Sequence, residues 1–283
     1  IRATASTGFR APTPGQANIA NISTVSGTDG VLFQRGTLSP TNPVSVYYGG
    51  KELTPEESQS VSFGLVWDVT DALSVTLDAY QIELTDRITQ GDEQTVTPTD
   101  IAVLTGLGIP GAGDLTTFKF YVNDFDTTTS GFDLVATYGA EMFNGNTEFT
   151  FVFSDVENEV DRTKNGLVGG TFIQRLEESL PKQRWNLSAV HLNGDWRVLA
   201  RINSIDGFWT ESSGMIDGMA TVDLELARDF GMYNVTLGAQ NAFDEYPNEE
   251  VQGLKDAIGM VYPEAAPLGF NGAFYYVKLG VNF

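Results

Sequence analysis

The chain has 283 residues, no cysteine and a formal net charge of −21. Without cysteine there is no disulfide framework, zinc–thiolate site or thiol nucleophile, and so acidic a balance argues against nucleic acid as a partner, because phosphate binding needs clustered Lys and Arg. Mean hydropathy of −0.11, with no apolar run near 18 residues, excludes a transmembrane helix but not a barrel, whose alternating strands average to neutral.

The opening stretch Ile1-Arg2-Ala3-Thr4-Ala5-Ser6-Thr7 already alternates like a strand, with no basic or apolar leader before it. It reads as part of a longer chain. Pro12 and Pro14 then stop the pairing, and about forty irregular residues rich in Gly, Ser, Thr and Asn follow. From Glu56 the pattern returns: Val61, Phe63, Leu65 and Trp67 on one face, Ser60, Ser62, Gly64 and Val66 on the other. A polar turn at 68–71 leads into Leu73, Val75, Leu77 and Ala79 against Ser74, Thr76, Asp78 and Tyr80. Past Ala79 the large residues change parity, which predicts a bulge or the end of the apolar band.

A long loop over about 89–129, with a flexible glycine-rich run at 106–113, precedes Phe132, Leu134, Ala136 and Tyr138. An Asn144-Gly145 hairpin turn joins these to Thr147, Phe149, Phe151 and Phe153, and a charged loop is expected at 155–182. Trp185, Leu187 and Ala189 come next, then a turn at 193–195 and Trp196, Val198, Ala200 and Ile202. After a loop at 204–218, Ala220, Val222, Leu224 and Leu226 turn at Asp229-Phe230-Gly231 into Val235, Leu237 and Ala239. A last long loop leads to the closing strand, in which Tyr275, Val277, Leu279, Val281 and Phe283 share one face.

Successive side chains on a strand point to opposite faces, so each segment has a greasy row and a wet row. Asp78, Asp133, Glu148, Arg197, Arg201, Asp223, Glu225 and Lys278 all fall on the wet one. The predicted ten strands are joined alternately by long and short connections, with every long one at the same end. Unstructured loops of that length are uncommon in soluble domains. Short turns on one side and long loops on the other instead describe an antiparallel up-and-down transmembrane barrel, with periplasmic turns, extracellular loops and a periplasmic C-terminus. Trp67, Tyr138, Trp185, Trp196 and Phe283 then suit the aromatic girdles. A soluble or surface lectin-like sandwich, burying the same row in a two-sheet core, is the alternative; a passive porin is another.

No catalytic constellation is present, and neither enzyme chemistry, a cofactor nor a metal is predicted. His191 lies in the apolar parity at a strand end, as an interfacial aromatic would. Asp155, Glu157, Glu159 and Asp161 alternate, but without the glycine and terminal-Glu spacing of a calcium loop; a solvated loop is expected there. Tyr47, Tyr48, Phe208, Trp209 and Tyr262 fall in long loops, where aromatics can stack on a small-molecule or oligosaccharide ligand. The loops at 8–55, 87–129, 155–182, 204–218 and 244–270 carry +1, −4, −2, −3 and −5, together −13 of the −21. An acidic mouth disfavours strongly anionic ligands.

Several passages together resemble the C-terminal half of a TonB-dependent outer-membrane receptor: Arg2-Ala3-Thr4-Ala5-Ser6-Thr7-Gly8-Phe9-Arg10-Ala11-Pro12-Thr13, Leu53-Thr54-Pro55-Glu56-Glu57-Ser58, Leu77-Asp78-Ala79-Tyr80-Gln81-Ile82 with Asp86-Arg87-Ile88, Asn241-Ala242-Phe243-Asp244-Glu245, and the terminal Phe283. The resemblance implies a 22-stranded barrel, plugged by an N-terminal domain, that imports a siderophore, vitamin, oligosaccharide or peptide with energy from TonB, ExbB and ExbD. It implies outer-membrane lipid and lipopolysaccharide as surroundings. Phe283 would be the assembly signal that barrel-assembly machinery recognises. The plug, its TonB-contacting box and the first strands have no counterpart here, so the chain is expected to supply ten strands of the wall.

Overall fold

The computed structural model describes residues 1–26, 30–109, 113, 115–263 and 265–281. Ten strands form one antiparallel sheet in strict chain order. They are β1 (Arg2–Arg10), β2 (Glu56–Thr70), β3 (Leu73–Gln90), β4 (Tyr121–Met142), β5 (Gly145–Thr163), β6 (Gln183–Asn193), β7 (Trp196–Ile205), β8 (Met219–Asp229), β9 (Tyr233–Gln240) and β10 (Phe274–Val281). Every predicted strand is present and pairs with its neighbours in sequence. The sheet is open: among the described residues, β1 pairs with β2 alone and β10 with β9 alone. Phe283 lies outside the described residues.

The register aligns the greasy rows across the wall. Val75, Ala136, Phe151, Leu187, Ile202 and Val222 stand opposite one another on successive strands. So do Leu226, Leu237 and Val277. This row is not covered: Phe63 is 49 % exposed, Leu237 51 %, Val277 64 % and Leu279 76 %. A soluble sandwich would bury such a row under a second sheet, and the two small sheets present are instead built from loop residues. About 9–11 tilted residues suffice to cross a bilayer. β6, β7 and β8, at 11, 10 and 11 residues, match that span. β3, β4 and β5, at 18, 22 and 19 residues, project well past it.

The projection decides one alternative left open by the sequence reading and accounts for one difference from it. No bulge occurs at Ala79, where pairing is regular; β3 shifts register against β4 only between Leu84 and Ile88, and Asp86 has a φ of 55°. What ends at Ala79 is the apolar band, because Gln81, Glu83 and Thr85 continue the same row as exposed polar residues. Likewise Asp155, Glu157, Glu159 and Asp161 lie on β5 rather than in a loop. Their alternation with Val156 and Val160 is the strand period continuing into water, with Lys182 on Glu157 at 2.8 Å and Thr128 on Asp161 at 2.8 Å.

The tight connections depend on local chemistry. Thr70 Oγ1 accepts the Ala72 and Leu73 amides at 3.2 and 3.0 Å, closing the turn between β2 and β3. Between β4 and β5 the left-handed residues are Phe143 and Asn144, with φ of 50° and 58°. Gly145 is already the first residue of β5, paired with Met142. Its need for glycine is a close approach, since a Cβ there would lie 2.1 Å from the Leu192 carbonyl oxygen. His191 sits on the outer row, its Nδ1 2.8 Å from Thr147 Oγ1 and its ring edge-on to Phe143, as an interfacial aromatic.

The buried core is in the long connections, not in the wall. Leu38, Val44, Val96, Leu104, Leu115, Phe118, Phe120, Val122, Phe125 and Val168 form one cluster from the first three long connections and the projecting end of β4. Helices at Pro43–Tyr47 and Pro98–Gly106 and a small sheet of Asn21–Ser26, Leu32–Thr37, Gln94–Thr95 and Thr117–Lys119 surround it. The stretches expected to be irregular are therefore a folded cap with its own core.

Candidate functional site: the cap and the inner wall

The cap is tied to the wall by buried acids. Asp124 on β4 is fully buried, and its carboxylate accepts from the Asn165 amide at 2.7 Å, the Asn165 side chain at 3.0 Å, the Leu167 amide at 2.8 Å and the Val168 amide at 3.1 Å. A buried carboxylate is costly unless hydrogen-bonded; here four donors fix the connection after β5. Asp126 accepts the Asp86 amide at 2.9 Å and pairs with Arg162 and Lys164, which holds the irregular step of β3. Arg87 stacks over Phe125 at 5.2 Å.

The loop aromatics fall into three settings. Tyr48 is partly buried, edge-on to Phe118 at 5.1 Å, with its hydroxyl donating to the Thr95 carbonyl at 3.2 Å; burial and then the nearby Asp100 push its phenol up. Tyr47 beside it is 40 % exposed and donates to Asp100 at 3.1 Å. Asp100 also closes the capping box of helix Pro98–Gly106, and the Thr97 hydroxyl and amide, with the tyrosine hydroxyls, hold its carboxyl down to about 2. Phe208 is buried in the hairpin Phe208–Thr210 and Gly214–Ile216, whereas Trp209 keeps a partly open face. Tyr262 stacks on Tyr246 at 5.3 Å.

These settings are connected. The helix Gly170–Glu178 places Phe172 and Leu176 against the cap core and pairs Arg175 with Glu211 beyond the 208–210 strand. Asp217 and Asn248 then link the fourth and fifth long connections, with side chains 2.9 Å apart. The aromatics thus belong to one continuous loop assembly. The structure brings Tyr47 next to Tyr48, but neither next to Tyr262. Sequence reasoning missed Tyr246, whose partner is sixteen residues away; its i+2 bond to Asp244 at 3.0 Å was the one local signal.

The inner face of the wall is polar and largely self-paired. Glu225 receives Arg197, Lys278 and the Tyr276 hydroxyl, the last at 2.9 Å. Arg2 bonds Asp78 at 3.0 Å through Nε. Asp223 accepts from the Asn203 side chain at 3.0 Å and from the Asn241 amide at 3.0 Å. No group of three or more metal-ligating side chains occurs among the described residues.

A family model described as "TonB dependent receptor-like, beta-barrel" matches residues 1–242. The chain belongs to the TonB-dependent receptor-like β-barrel family. No curated protein matches it. Among solved structures, the copper transporter OprC aligns with a TM-score of 0.57 at 14 % identity, over 99 % of this chain and 36 % of that one. A mutant of the ferric enterobactin receptor PfeA from Pseudomonas aeruginosa aligns with a TM-score of 0.57 at 15 % identity, over 98 % and 37 %. The ferric-catecholate import receptor Fiu from Escherichia coli aligns with a TM-score of 0.57 at 13 % identity, over 98 % and 32 %. This barrel chain therefore spans about a third of the length of those neighbours, and at such identity the likeness concerns the fold.

Proposed function

We propose that this chain is the C-terminal part of the barrel of an outer-membrane receptor that imports a scarce nutrient by TonB-coupled active transport. The match of residues 1–242 to the receptor barrel family carries the reading. The exposed apolar row supports a lipid-facing wall, and a cap folded on one side supports an extracellular binding face. In this reading the short turns and the C-terminus are periplasmic, outer-membrane lipid and lipopolysaccharide surround the wall, and Phe283 is read by barrel-assembly machinery. A plug domain outside the chain makes the contact with TonB, ExbB and ExbD.

Tyr47, Trp209 and Tyr262 are the loop aromatics proposed to contact ligand. Tyr48 and Phe208 belong to the same set, acting from behind by packing. The −13 carried by the long connections together with the strand ends that project beside them favours a neutral oligosaccharide, a peptide or a cationic complex over a strongly anionic ferric chelate. The test is growth of a deletion strain on candidate ferric chelates, vitamins, glycans and peptides, with and without TonB. Complementation by the full-length gene that requires TonB supports active import. Uptake that persists without TonB would identify a passive porin.

A further inference from the structure

A cavity opens on the wall where no ion pair spans it. It measures about 220 Å³ and lies over β5, β6 and β7, lined by Val152, Ser154, Arg184, Asn186, Asn203 and Ile205, by Trp185 and Ser204 of the opposite parity, and by Leu268 of the last long connection. The register explains the grouping. Ser154 stands opposite Arg184, Arg184 opposite Ile205, and Asn186 opposite both Val152 and Asn203. These six occupy the inner row, whereas Trp185 and Ser204 pair with each other on the other parity.

Three features coincide at this place on the inner face. Arg184, like Arg201 on the same face, makes no ion pair and no side-chain hydrogen bond among the described residues, whereas Arg2, Arg197 and Lys278 each meet a carboxylate. Ser154 is only 6 % exposed, yet its Oγ has no hydrogen-bond partner. Asn186 likewise has no side-chain bond, so an open guanidinium, a buried hydroxyl and an amide converge on one small volume. An unsatisfied buried polar group is costly and calls for a partner.

We propose that this cavity is a lumenal subsite for a single carboxylate group, carried by a ligand that is otherwise neutral or cationic. The proposal rests on the receptor reading, because only a closed wall makes this face a lumen. A guanidinium fork matches a carboxylate bidentately, and Ser154 and Asn186 supply further donors to its oxygens. The volume is below the roughly 300–1,000 Å³ typical of sites that enclose a whole drug-sized ligand. It therefore suits one acid group with a short aliphatic portion against Val152, Ile205 and Leu268. The acidic outer connections repel polyanions, so a zwitterion such as a peptide C-terminus fits both filters.

The probe is dialanine, compared with its C-terminal amide, titrated calorimetrically into the full-length receptor purified in detergent. Wild type should bind the acid at least about tenfold more tightly than the amide, the discrimination expected of one charged hydrogen bond. Arg184→Gln should erase that preference, while Lys51→Gln, an exposed loop cation, should leave it intact. Leu268→Asp changes only a loop residue and tethers a carboxylate at the site, so it should block the acid without disturbing the wall. Equal binding of acid and amide by wild type, absence of binding, or an unchanged preference in Arg184→Gln would overturn the subsite. Outer-membrane assembly and TonB-dependent growth are scored on the same strains: if they are intact while the preference is absent, only the subsite falls. If the receptor fails to reach the outer membrane, both readings fall.

Discussion

Leu237→Arg separates a lipid-facing wall from a solvent-facing one. Leu237 lies on the outer row of β9, between Leu226 and Val277, and is 51 % exposed. It lies four positions along from Tyr233 at the turn end of the strand. At about 3.3 Å per residue and a tilt near 40°, that places it roughly 10 Å into an apolar band about 25 Å tall, close to the midplane. Arginine at that depth costs about 2–4 kcal/mol, or about a 30- to 1,000-fold shift in the folding equilibrium. The same substitution at a half-exposed, solvated position costs within about 0.5 kcal/mol. The assay is denaturant unfolding of the full-length receptor refolded into lipid vesicles, with Thr236→Arg on the adjacent inner-row position as control. The control should stay within about 0.5 kcal/mol of wild type. If Leu237→Arg does so too, the outer row is not in lipid and the membrane reading fails.

Gly238→Ala on the inner row would place a Cβ 2.0 Å from the Tyr276 ring; the ring must swing away and release its bond to Glu225, lowering stability by about 1–3 kcal/mol in the same unfolding assay. Asp124→Asn removes the charged acceptor of the Leu167 and Val168 amides, and hydrogen exchange at those amides should quicken while the wall strands stay protected. Leu104→Ala, at a fully buried cap position, should cost the cap about 2–5 kcal/mol and raise protease sensitivity of the long connections without detaching the receptor from the membrane. For pH, the Asp100 carboxyl is depressed from 3.8 to about 2 in the folded cap. Its contribution is therefore complete above the ordinary value and lost as pH falls from about 4 through 2; amide exchange at Thr97 and Asp100 should rise over that window, and Thr97→Val should remove the effect.

How much was legible follows from the range of each interaction. Strand positions and faces came through because the period of two is local: Phe149, Phe151 and Phe153 declare an outer row without knowledge of any partner. The same rule, applied past Ser154, would have extended β5 through Val156 and Val160; the acids between them were misread as loop because polarity was given more weight than alternation. Helix Pro98–Gly106 lies in a stretch read as loop, although Thr97-Pro98-Thr99-Asp100, a capping box with proline at its first turn, marks its start. The candidate aromatics could be placed in loops by sequence, but not sorted into the buried Phe208 and the partly open Trp209, since a three-residue strand buries whichever face its hairpin and neighbours cover.

By itself the sequence determined that this protein is a run of ten alternating strands with long connections at one end, because strand parity and turn chemistry are written within a few residues. Tertiary structure decided the rest. Asp124 meets amides more than forty residues away, and the cap core joins residues from Leu38 to Val168. The pairing of Arg197 and the solitude of Arg184 depend on which acids the register brings alongside. Those contacts are long-range, set by strand register and loop packing, and no local pattern encodes them.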